Sequence, residues 1–233
     1  MTTAIERIVV VIPARDEAGT LAQCLASVQR AAHRVSIPTS LVLVLDTCTD
    51  DSAEIATSFA DTVVIEEDFA NVGRSRARGF SHALATFAGS LDTTWFATTD
   101  ADSVVPSDWL AEHVRAAHEG AQVFVGAVVP ALRELDEERR LAWELTHPPG
   151  ATVGHVHGAN LGMLGSAYAA AGGFSFLATG EDVDLVARLR HRGVPIAESE
   201  AHPVTTSGRL SGRARDGYAK YLAELTPSRA AQV

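Results

Sequence analysis

Two carboxylates lie one residue apart directly after an apolar segment. Residues 95–99 are apolar or β-branched, which predicts a buried strand, and Asp100 and Asp102 follow it. In an open α/β sheet, ligands bind beyond the carboxyl ends of the strands. If the backbone stays extended, both acids point to one side, where they suit Mg²⁺ or Mn²⁺ together with phosphate oxygens and water. The pair therefore indicates a metal-bound phosphate, although an acidic turn after a strand would have the same composition.

A further acid, Asp46, ends a second apolar run at residues 41–45. Its carboxylate is placed to accept hydrogen bonds from a ribose or from the edge of a base. The alternative is that this segment only caps the next helix, a role for which Thr49 or Asp50 suffices. Asp46 is then left for the ligand.

The segment Pro13-Ala14-Arg15-Asp16-Glu17 follows the first predicted strand. Exposed backbone N–H groups at the start of the next helix would hold a phosphate. Asp16 and Glu17 oppose this interpretation unless they point away or pair with arginine, and Glu17 also suits the first turn of a helix.

Three arginines, Arg74, Arg76 and Arg78, begin another predicted helix. Arg74 and Arg78 share one face at i,i+4, whereas Arg76 points elsewhere. Because cations at a helix start oppose the helix dipole, we expect an anionic partner, either a ligand phosphate or a protein carboxylate.

The second half of the chain has carboxylates at residues 181–184 and three histidines in irregular segments. Acids at a helix start are favourable for structure alone, but one of them is also a candidate general base for a hydroxyl nucleophile. The histidines are His155, His157 and His202. His202 follows a predicted late strand, from which it would reach a metal.

Composition bounds the remaining possibilities. The chain has 233 residues, 46% of them hydrophobic, and a formal net charge of -10, which argues against a nucleic-acid polymer as partner. Two cysteines, Cys24 and Cys48, lack the spacing of a metal site or a disulfide framework and predict reduced thiols in a cytoplasmic protein. We find no signal peptide and no apolar run of membrane-spanning length, so any membrane contact is expected to be peripheral.

Strand and helix patterns alternate in the first half, which predicts a mostly parallel sheet with helices on both faces. The predicted strands cover residues 8–12, 41–45, 62–65 and 95–99, and the helices cover 17–33, 52–60, 73–87 and 108–118. The second half is less regular, with predicted strands at 122–129 and 195–198 and helices at 136–145, 181–191 and 216–225. Between them, residues 154–165 form a stretch rich in Gly and His. No linker is evident, so a single domain covers residues 1–233.

Taken together, these segments resemble the family 2 glycosyltransferases with the GT-A fold. The resemblance extends over roughly residues 8–225. It is carried by residues 10–17, 45–52, 73–78, 99–102, 157–162, 172–174 and 180–182. It implies a Rossmann-like three-layer α/β sandwich with a nucleotide-binding half at about 1–105 and an acceptor-binding half at about 106–233. Thr47 stands where the family usually has a second acid, and the Gln-x-x-Arg-Trp motif of processive synthases is absent.

The resemblance also implies roles for individual residues. Asp182 is the expected catalytic base, and Asp102, with His202 as a further candidate, is the expected metal ligand. The donor would be bound by Pro13, Ala14, Arg15, Glu17, Asp46, Arg74, Arg78, Asp100 and Arg209. The acceptor would be bound by Gly158, Ala159, Asn160 and Glu181. Arg209, Arg213 or Arg215 would lie in a loop that closes over the diphosphate.

The predicted function is Mg²⁺- or Mn²⁺-dependent transfer of one sugar from a nucleoside-diphosphate sugar to an acceptor hydroxyl, with inversion implied by the resemblance. Two alternatives stay open, a sugar-nucleotide-forming nucleotidyltransferase and a non-catalytic sugar-nucleotide binder, whereas the sequence lacks the motif of a third, an oxidoreductase. A nucleotidyltransferase would need a Gly-rich loop in place of residues 13–17. A dinucleotide-dependent oxidoreductase would need a Gly-x-Gly-x-x-Gly segment after a strand. A non-catalytic sugar-nucleotide binder would have no need of the candidate base Asp182.

Overall fold

The computed structural model describes residues 4–86, 89–213 and 217–226. Within these residues, eight strands form one sheet in the order β3-β2-β1-β4-β7-β6-β8-β5. The strands are β1 (Arg7–Ala14), β2 (Thr39–Asp46), β3 (Thr62–Glu67), β4 (Thr94–Thr98), β5 (Ser103–Val104), β6 (Val123–Pro130), β7 (Leu161–Leu164) and β8 (Ile196–Thr206). The helices are α1 (Leu21–His33), α2 (Ser52–Thr57), α3 (Val72–Thr86), α4 (Trp109–His118), α5 (Glu137–Thr146), α6 (Gly165–Ala170), α7 (Glu181–His191) and α8 (Tyr218–Glu224).

The sheet is mixed, so the prediction of a mostly parallel sheet is wrong. β1 pairs in parallel with β2 and β4, β2 with β3, and β6 with β8. β7 lies antiparallel between β4 and β6, and β5 is antiparallel to β8. The sequence conceals β7 because its four residues are all buried and lie in the stretch rich in Gly and His, where no alternation marks a strand.

Helices cover both faces of the sheet, as the alternation of strands and helices predicts. Neighbouring residues of β4 point to opposite faces. Trp95 donates a hydrogen bond to His113 of α4 over 3.1 Å, whereas the ring of Phe96 stacks on Phe80 of α3 at 4.6 Å. α4 and α3 therefore lie on opposite sides of the sheet, and β4 is enclosed by both.

A second, smaller cluster of buried residues joins α5 to α8. It consists of Ala142, Trp143, Leu222 and Leu225, with Val129, Leu132, Leu135 and Tyr218 packed against it. Leu222 and Ala142 are fully buried, so this contact fixes α8 against α5 beside the end of β6.

Two boundaries differ from the predicted ones in ways that affect the site. α1 begins at Leu21 rather than at residue 17, which leaves Glu17 in the loop after β1. β8 runs to Thr206, well beyond the predicted end at residue 198. Its last residues pair with β5, which brings Thr206 opposite Ser103.

No helix among the described residues is long and apolar enough to cross a membrane.

Close packing of α3 on β1 depends on Gly79. A Cβ atom at Gly79 would lie 2.5 Å from Cγ1 of Val11, a buried residue at the centre of the sheet. We expect Gly79→Ala to destabilise the protein by about 1–3 kcal/mol through overpacking. Gly19→Ala is the matched control, because nothing lies within 4 Å of that position, and its effect should stay within about 0.5 kcal/mol. Urea denaturation measures both, and equal midpoints for the two variants would contradict this account of the packing.

Candidate functional site

A cavity of about 580 Å³ opens where β1, β2 and β4 end. It brings together twelve of the sixteen residues that the sequence analysis expects to act as base, to hold the metal or to bind donor or acceptor. Those from the first half are Pro13, Ala14, Arg15, Glu17, Asp46, Asp100 and Asp102, and those from the second half are Gly158, Ala159, Glu181, Asp182 and Arg209. Arg74, Arg78, Asn160 and His202 are not among its lining residues.

Arg76, which is expected to point away from the face shared by Arg74 and Arg78, lies at the floor of this cavity. Its side chain is only 3% exposed, and it pairs with Asp100 at 2.5 Å through Nη2 and with Glu181 through Nη1. Gly158 makes room for it, since a Cβ there would lie 2.3 Å from Nη2 of Arg76. One guanidinium thus joins the loop after β4 to the start of α7.

The sequence does contain a signal for the inward direction of Arg76. Gly73, Arg76, Phe80 and Ala83 follow one another at spacings of three and four, and all four are buried in α3. Arg76 therefore occupies a position of the apolar stripe that faces the sheet. A charged residue on such a stripe must find a buried partner of opposite charge.

The other two arginines of α3 have different surroundings. The guanidinium of Arg74 lies 4.2 Å from the ring centre of Phe69, and Nε of Arg78 pairs with Glu67 at 2.5 Å. The anionic partner expected at this helix start is thus a protein carboxylate for Arg76 and for Arg78.

A second arginine, Arg209, binds two more carboxylates of the cavity. It contacts both oxygens of Glu17 at 2.7 Å and Oδ2 of Asp102 at 2.8 Å. Burial, followed by the charge of Asp100, raises the pKa of Asp102 to about 6, although Arg209 acts in the opposite direction. Asp102 also accepts a hydrogen bond from Thr206 at 3.3 Å.

Asp100 and Asp102 do not continue the strand. β4 ends at Thr98, and the backbone N–H of Ser103 donates to the carbonyl of Asp100 at 3.0 Å, which closes a turn. The condition under which both acids would point to one side, an extended backbone, is therefore not met. The turn lets the two carboxylates pair with different arginines, Arg76 and Arg209.

Asp46 is 3% exposed, and donors from within the protein surround its carboxylate. Oδ1 accepts from the backbone N–H of Ala70 at 2.7 Å, and Oδ2 accepts from Asn71 N–H at 2.9 Å and Ser75 Oγ at 2.8 Å. Burial alone would raise the pKa of Asp46, but the hydrogen bonds, led by that of Ser75, hold it below its usual value. Asp46 therefore anchors the start of α3, a role that the sequence does not reveal.

On the opposite side of the cavity, a 3₁₀ turn at Gly158–Asn160 faces the start of α7. The backbone N–H of Gly158 donates to Oδ2 of Asp182 at 2.6 Å, and that of Val183 donates to Oδ1 at 2.8 Å. Asn160 is 1% exposed and holds the turn from inside, accepting from Nε1 of Trp109 at 2.8 Å and donating to the carbonyl of Ala127 at 2.9 Å. The turn thus fixes the Asp182 carboxylate at the cavity.

His202 is not brought to Asp102. Its Nε2 lies 3.4 Å from Glu112, on the side of β8 that faces α4. Since β8 extends to Thr206, His202 lies four residues before the strand end, and the backbone N–H of Ser207 donates to the carbonyl of Asp102 at 3.0 Å. The expectation that His202 joins Asp102 in a metal site is therefore not met.

The carboxylates of the cavity are nevertheless suitable for a divalent cation. Among the residues that the structure describes, no cluster of three His, Cys, Asp or Glu side chains could hold a metal by itself. Mg²⁺ normally takes only one or two carboxylates, with water and substrate phosphates completing its coordination. Asp100 and Asp102 meet that requirement, and the acids outnumber the arginines with which they pair.

Three further arginines belong to loops near the cavity in the sequence. Arg15 lines the cavity and makes no hydrogen bond or ion pair within the described part of the chain. Arg213 donates to the carbonyl of Asp16 at 2.5 Å, which ties the segment after β8 to the loop after β1. Arg215 lies outside the described residues.

The family model described as glycosyl transferase family 2 matches residues 9–171 of this chain. No curated protein matches it. Among solved structures, TarS of S. aureus in complex with UDP-GlcNAc is similar at a TM-score of 0.66 and 11% identity, covering 97% of this chain and 70% of its own. The mannosyltransferase PcManGT from Pyrobaculum calidifontis, in complex with GDP-Man and Mn²⁺, has a TM-score of 0.63 and 19% identity. The match covers 94% of this chain and 60% of the mannosyltransferase chain.

A third similar structure is glucosyl-3-phosphoglycerate synthase from Mycobacterium tuberculosis with Mn²⁺, UDP and phosphoglyceric acid. Its TM-score is 0.56 at 16% identity, covering 96% of this chain and 75% of its own. This chain thus spans 60–75% of the three chains compared, the TarS chain being residues 1–349, and 36% of a longer TarS structure. At these identities the likeness concerns the fold.

The buried ion cluster of Arg76 leads to a stability prediction. Arg76→Met leaves the buried carboxylate of Glu181 without its cation, and we expect a loss of about 3–5 kcal/mol in the free energy of unfolding. Arg78→Met is the matched control on the same helix, because its pair with Glu67 is 40% exposed on the arginine side and should be worth less than about 1 kcal/mol. Urea denaturation of both variants measures the difference, and similar losses would show that Arg76 carries no special weight.

Proposed function

The chain belongs to glycosyl transferase family 2, and we propose that it transfers a sugar from a nucleoside-diphosphate sugar to the hydroxyl group of an acceptor. The observation that carries the proposal is a single cavity with two chemically different ends. Acids and arginines line it where β1, β2 and β4 end, and Asp182 lines it at the start of α7. Donor and acceptor would meet between these ends.

The end formed by the loop after β1 is suited to the donor. Pro13 and Ala14 contribute backbone at the carboxyl end of β1, where ligands of open α/β sheets bind. Arg15 and Arg209 are the cations placed to meet a diphosphate. The similar proteins solved with UDP-GlcNAc and with GDP-Man support a nucleoside diphosphate as the donor carrier.

The charge of this end supports a metal-dependent donor site. Glu17, Asp100 and Asp102 surround the position proposed for the diphosphate, and a diphosphate brings further negative charge. A divalent cation held by Asp100 and Asp102 would neutralise the leaving group. Mn²⁺ in two of the similar structures supports the same view.

Asp182 is the proposed general base. Both of its oxygens accept a backbone hydrogen bond, yet each keeps a second lone pair that can take a proton. In the proposed step Asp182 takes the proton of the acceptor hydroxyl while that oxygen bonds to the anomeric carbon. The bond between this carbon and the diphosphate oxygen breaks, and the nucleoside diphosphate leaves with the electron pair. Attack opposite the leaving group inverts the anomeric centre.

Two further proposals concern the setting of the reaction. We propose one sugar per acceptor, since the motif of processive synthases is absent from the sequence. We also propose a reducing compartment, the cytoplasm, because Cys24 and Cys48 are both free thiols.

The metal-dependent donor site makes a prediction for binding. UDP-glucose or GDP-mannose should bind in the presence of Mn²⁺, and EDTA or Asp102→Ala should weaken binding by about ten-fold or more through loss of a hard-oxygen ligand. Because metal ligands must be deprotonated, the pKa of about 6 for Asp102 predicts that affinity falls as the pH drops through 6. Calorimetry at pH 7.5 and pH 5.5 measures both effects. Equal affinity with EDTA and with Mn²⁺ would refute the metal-dependent site.

The proposed base makes a prediction for catalysis. Asp182→Asn keeps the size of the side chain but cannot take up the proton of the acceptor, so transfer should slow by about 10²–10⁴-fold. Donor affinity should change only by a few-fold, because Asp182 lies away from the proposed diphosphate position. Single-turnover transfer with saturating donor measures the rate, and circular dichroism checks the fold.

Asp184→Asn is the matched control for this experiment. Asp184 also lies in the first turn of α7, but it pairs with Arg188 at 2.8 Å and is absent from the cavity lining. Its replacement should leave the transfer rate within a few-fold of the parent. If the folded Asp182→Asn variant transfers sugar at a near-normal rate, Asp182 is not the base.

A further inference from the structure

We infer that the acceptor is a neutral glycoside whose sugar ring packs against an aromatic wall at the α7 end of the cavity. This aromatic wall is formed by His147, His157, Tyr218 and Tyr221, all of which line the cavity. The inference rests on the proposed function and names the substrate class for its acceptor side.

The aromatic wall is held in shape by contacts among its own rings. His147 stacks on Trp143 with ring centres 4.5 Å apart and planes within 3°. Tyr218 accepts a hydrogen bond from Nε1 of the same Trp143 at 3.3 Å, and Tyr221 stacks on Tyr218 at 5.7 Å. Since Trp143 belongs to the small cluster that joins α5 to α8, the rings are fixed by packing rather than carried on a free loop.

The charge on this side of the cavity disfavours an anionic acceptor. The arginines that line the cavity are Arg15, Arg76, Arg209 and Arg213. Arg76 reaches the start of α7, but its guanidinium is buried and already pairs with Glu181 and Asp100. Within the described residues, none of the four arginines belongs to segments 128–183 or 217–221. Those segments contribute the acids Glu181 and Asp182 instead. A phosphate or carboxylate bound here would lose its hydration without gaining a cation.

The histidines of the aromatic wall do not supply that cation. Burial lowers the pKa of His147, and it lowers that of His157 in spite of the opposing charge of Asp182. Both rings are therefore neutral at pH 7, and each has a flat face, one donor nitrogen and one acceptor nitrogen.

The aromatic wall combines flat ring faces with polar atoms at the ring edges, and a sugar has complementary surfaces. The C–H face of a pyranose packs on aromatic surfaces, while its hydroxyls need hydrogen-bond partners. The hydroxyl of Tyr221 lies 3.4 Å from Nε2 of His147, and Thr152 also lines the cavity. Thr152 also donates to Glu200 at 3.2 Å, and a purely apolar acceptor would add no hydrogen bond to those that these groups make within the protein. This chemistry differs from the phosphoglyceric acid bound by the similar mycobacterial enzyme.

The test compares neutral and anionic probes of the same size. Methyl glucoside, methyl mannoside, methyl galactoside and methyl N-acetylglucosaminide are set against glucose 6-phosphate, glucuronate and 3-phosphoglycerate. Affinities are measured by ligand-observed NMR, with and without UDP and Mn²⁺. We expect at least one neutral pyranoside to bind, and each anionic probe to bind about ten-fold more weakly or not at all.

Variants at Tyr221 connect this binding to the aromatic wall. Tyr221 is 41% exposed, so Tyr221→Ala should fold, and it should weaken pyranoside binding by about five-fold or more. Tyr221→Phe keeps the ring and should retain most of the affinity. Leu141→Ala, at an exposed position of α5 outside the cavity lining, is the control and should bind as the parent does.

Each result has a definite meaning. Tighter binding of an anionic probe, no binding of any neutral pyranoside, or unchanged affinity in Tyr221→Ala overturns the inference. Donor binding is measured separately by calorimetry with UDP- and GDP-sugars. If the donors bind and the pyranosides do not, the inference fails and the proposed function stands. If the pyranosides bind at Tyr221 and no sugar nucleotide binds, the aromatic subsite is supported and the proposed function fails.

Discussion

The rest of the site depends on the buried guanidinium of Arg76. A charge removed from water needs partners of opposite charge, and Arg76 finds them for its two Nη atoms in Asp100 and Glu181, from opposite halves of the chain. Gly73 and Gly158 leave the space that the pair requires, since a Cβ at either position would overlap the cluster or its neighbours. The loop after β4 and the start of α7 are therefore held at a fixed separation, and the floor of the cavity is set by electrostatics as much as by apolar packing.

The same electrostatics divides the cavity into two environments. On the β1 side, Arg209 is shared between Glu17 and Asp102, and Arg15 faces the cavity, so added anionic charge has both cations and metal-binding oxygens nearby. On the α7 side, aromatic rings and acids line the wall, and among the described residues the arginine that reaches it, Arg76, is already paired with Glu181 and Asp100. An anion that crosses from the first environment to the second loses its counter-charges. The electrostatic environment of the cavity thus changes from the β1 side to the α7 side, which is the direction of the proposed sugar transfer.

Sequence patterns predict the first half of the fold well, whereas in the second half they recover β6, α5, α7 and α8 but miss β7 and most of β8, for physical reasons. β1 and β2 are buried on both faces, and each is a continuous apolar run in the sequence. A helical pattern separates the two runs. β7 is too short to show any period, and β8 is half-buried along most of its length, so the sequence misses β7 and marks only the start of β8. A sheet whose second half is built from such strands looks irregular in sequence although its pairing is continuous.

The location of site residues follows from motif types, whereas their roles depend on partners that are distant in sequence. The sequence predicts that Asp46 binds the ligand because a nearby residue suffices for capping, and Asp46 lines the cavity, but its hydrogen-bond donors lie 24 to 29 residues away and hold α3 in place. Asn160 was assigned to the acceptor, but its amide is buried against Trp109, and the group that it delivers towards the cavity is the backbone of Gly158. In both cases a polar side chain acts through the element it anchors. Local sequence can mark such a residue as necessary, but only the folded chain shows which atom it positions.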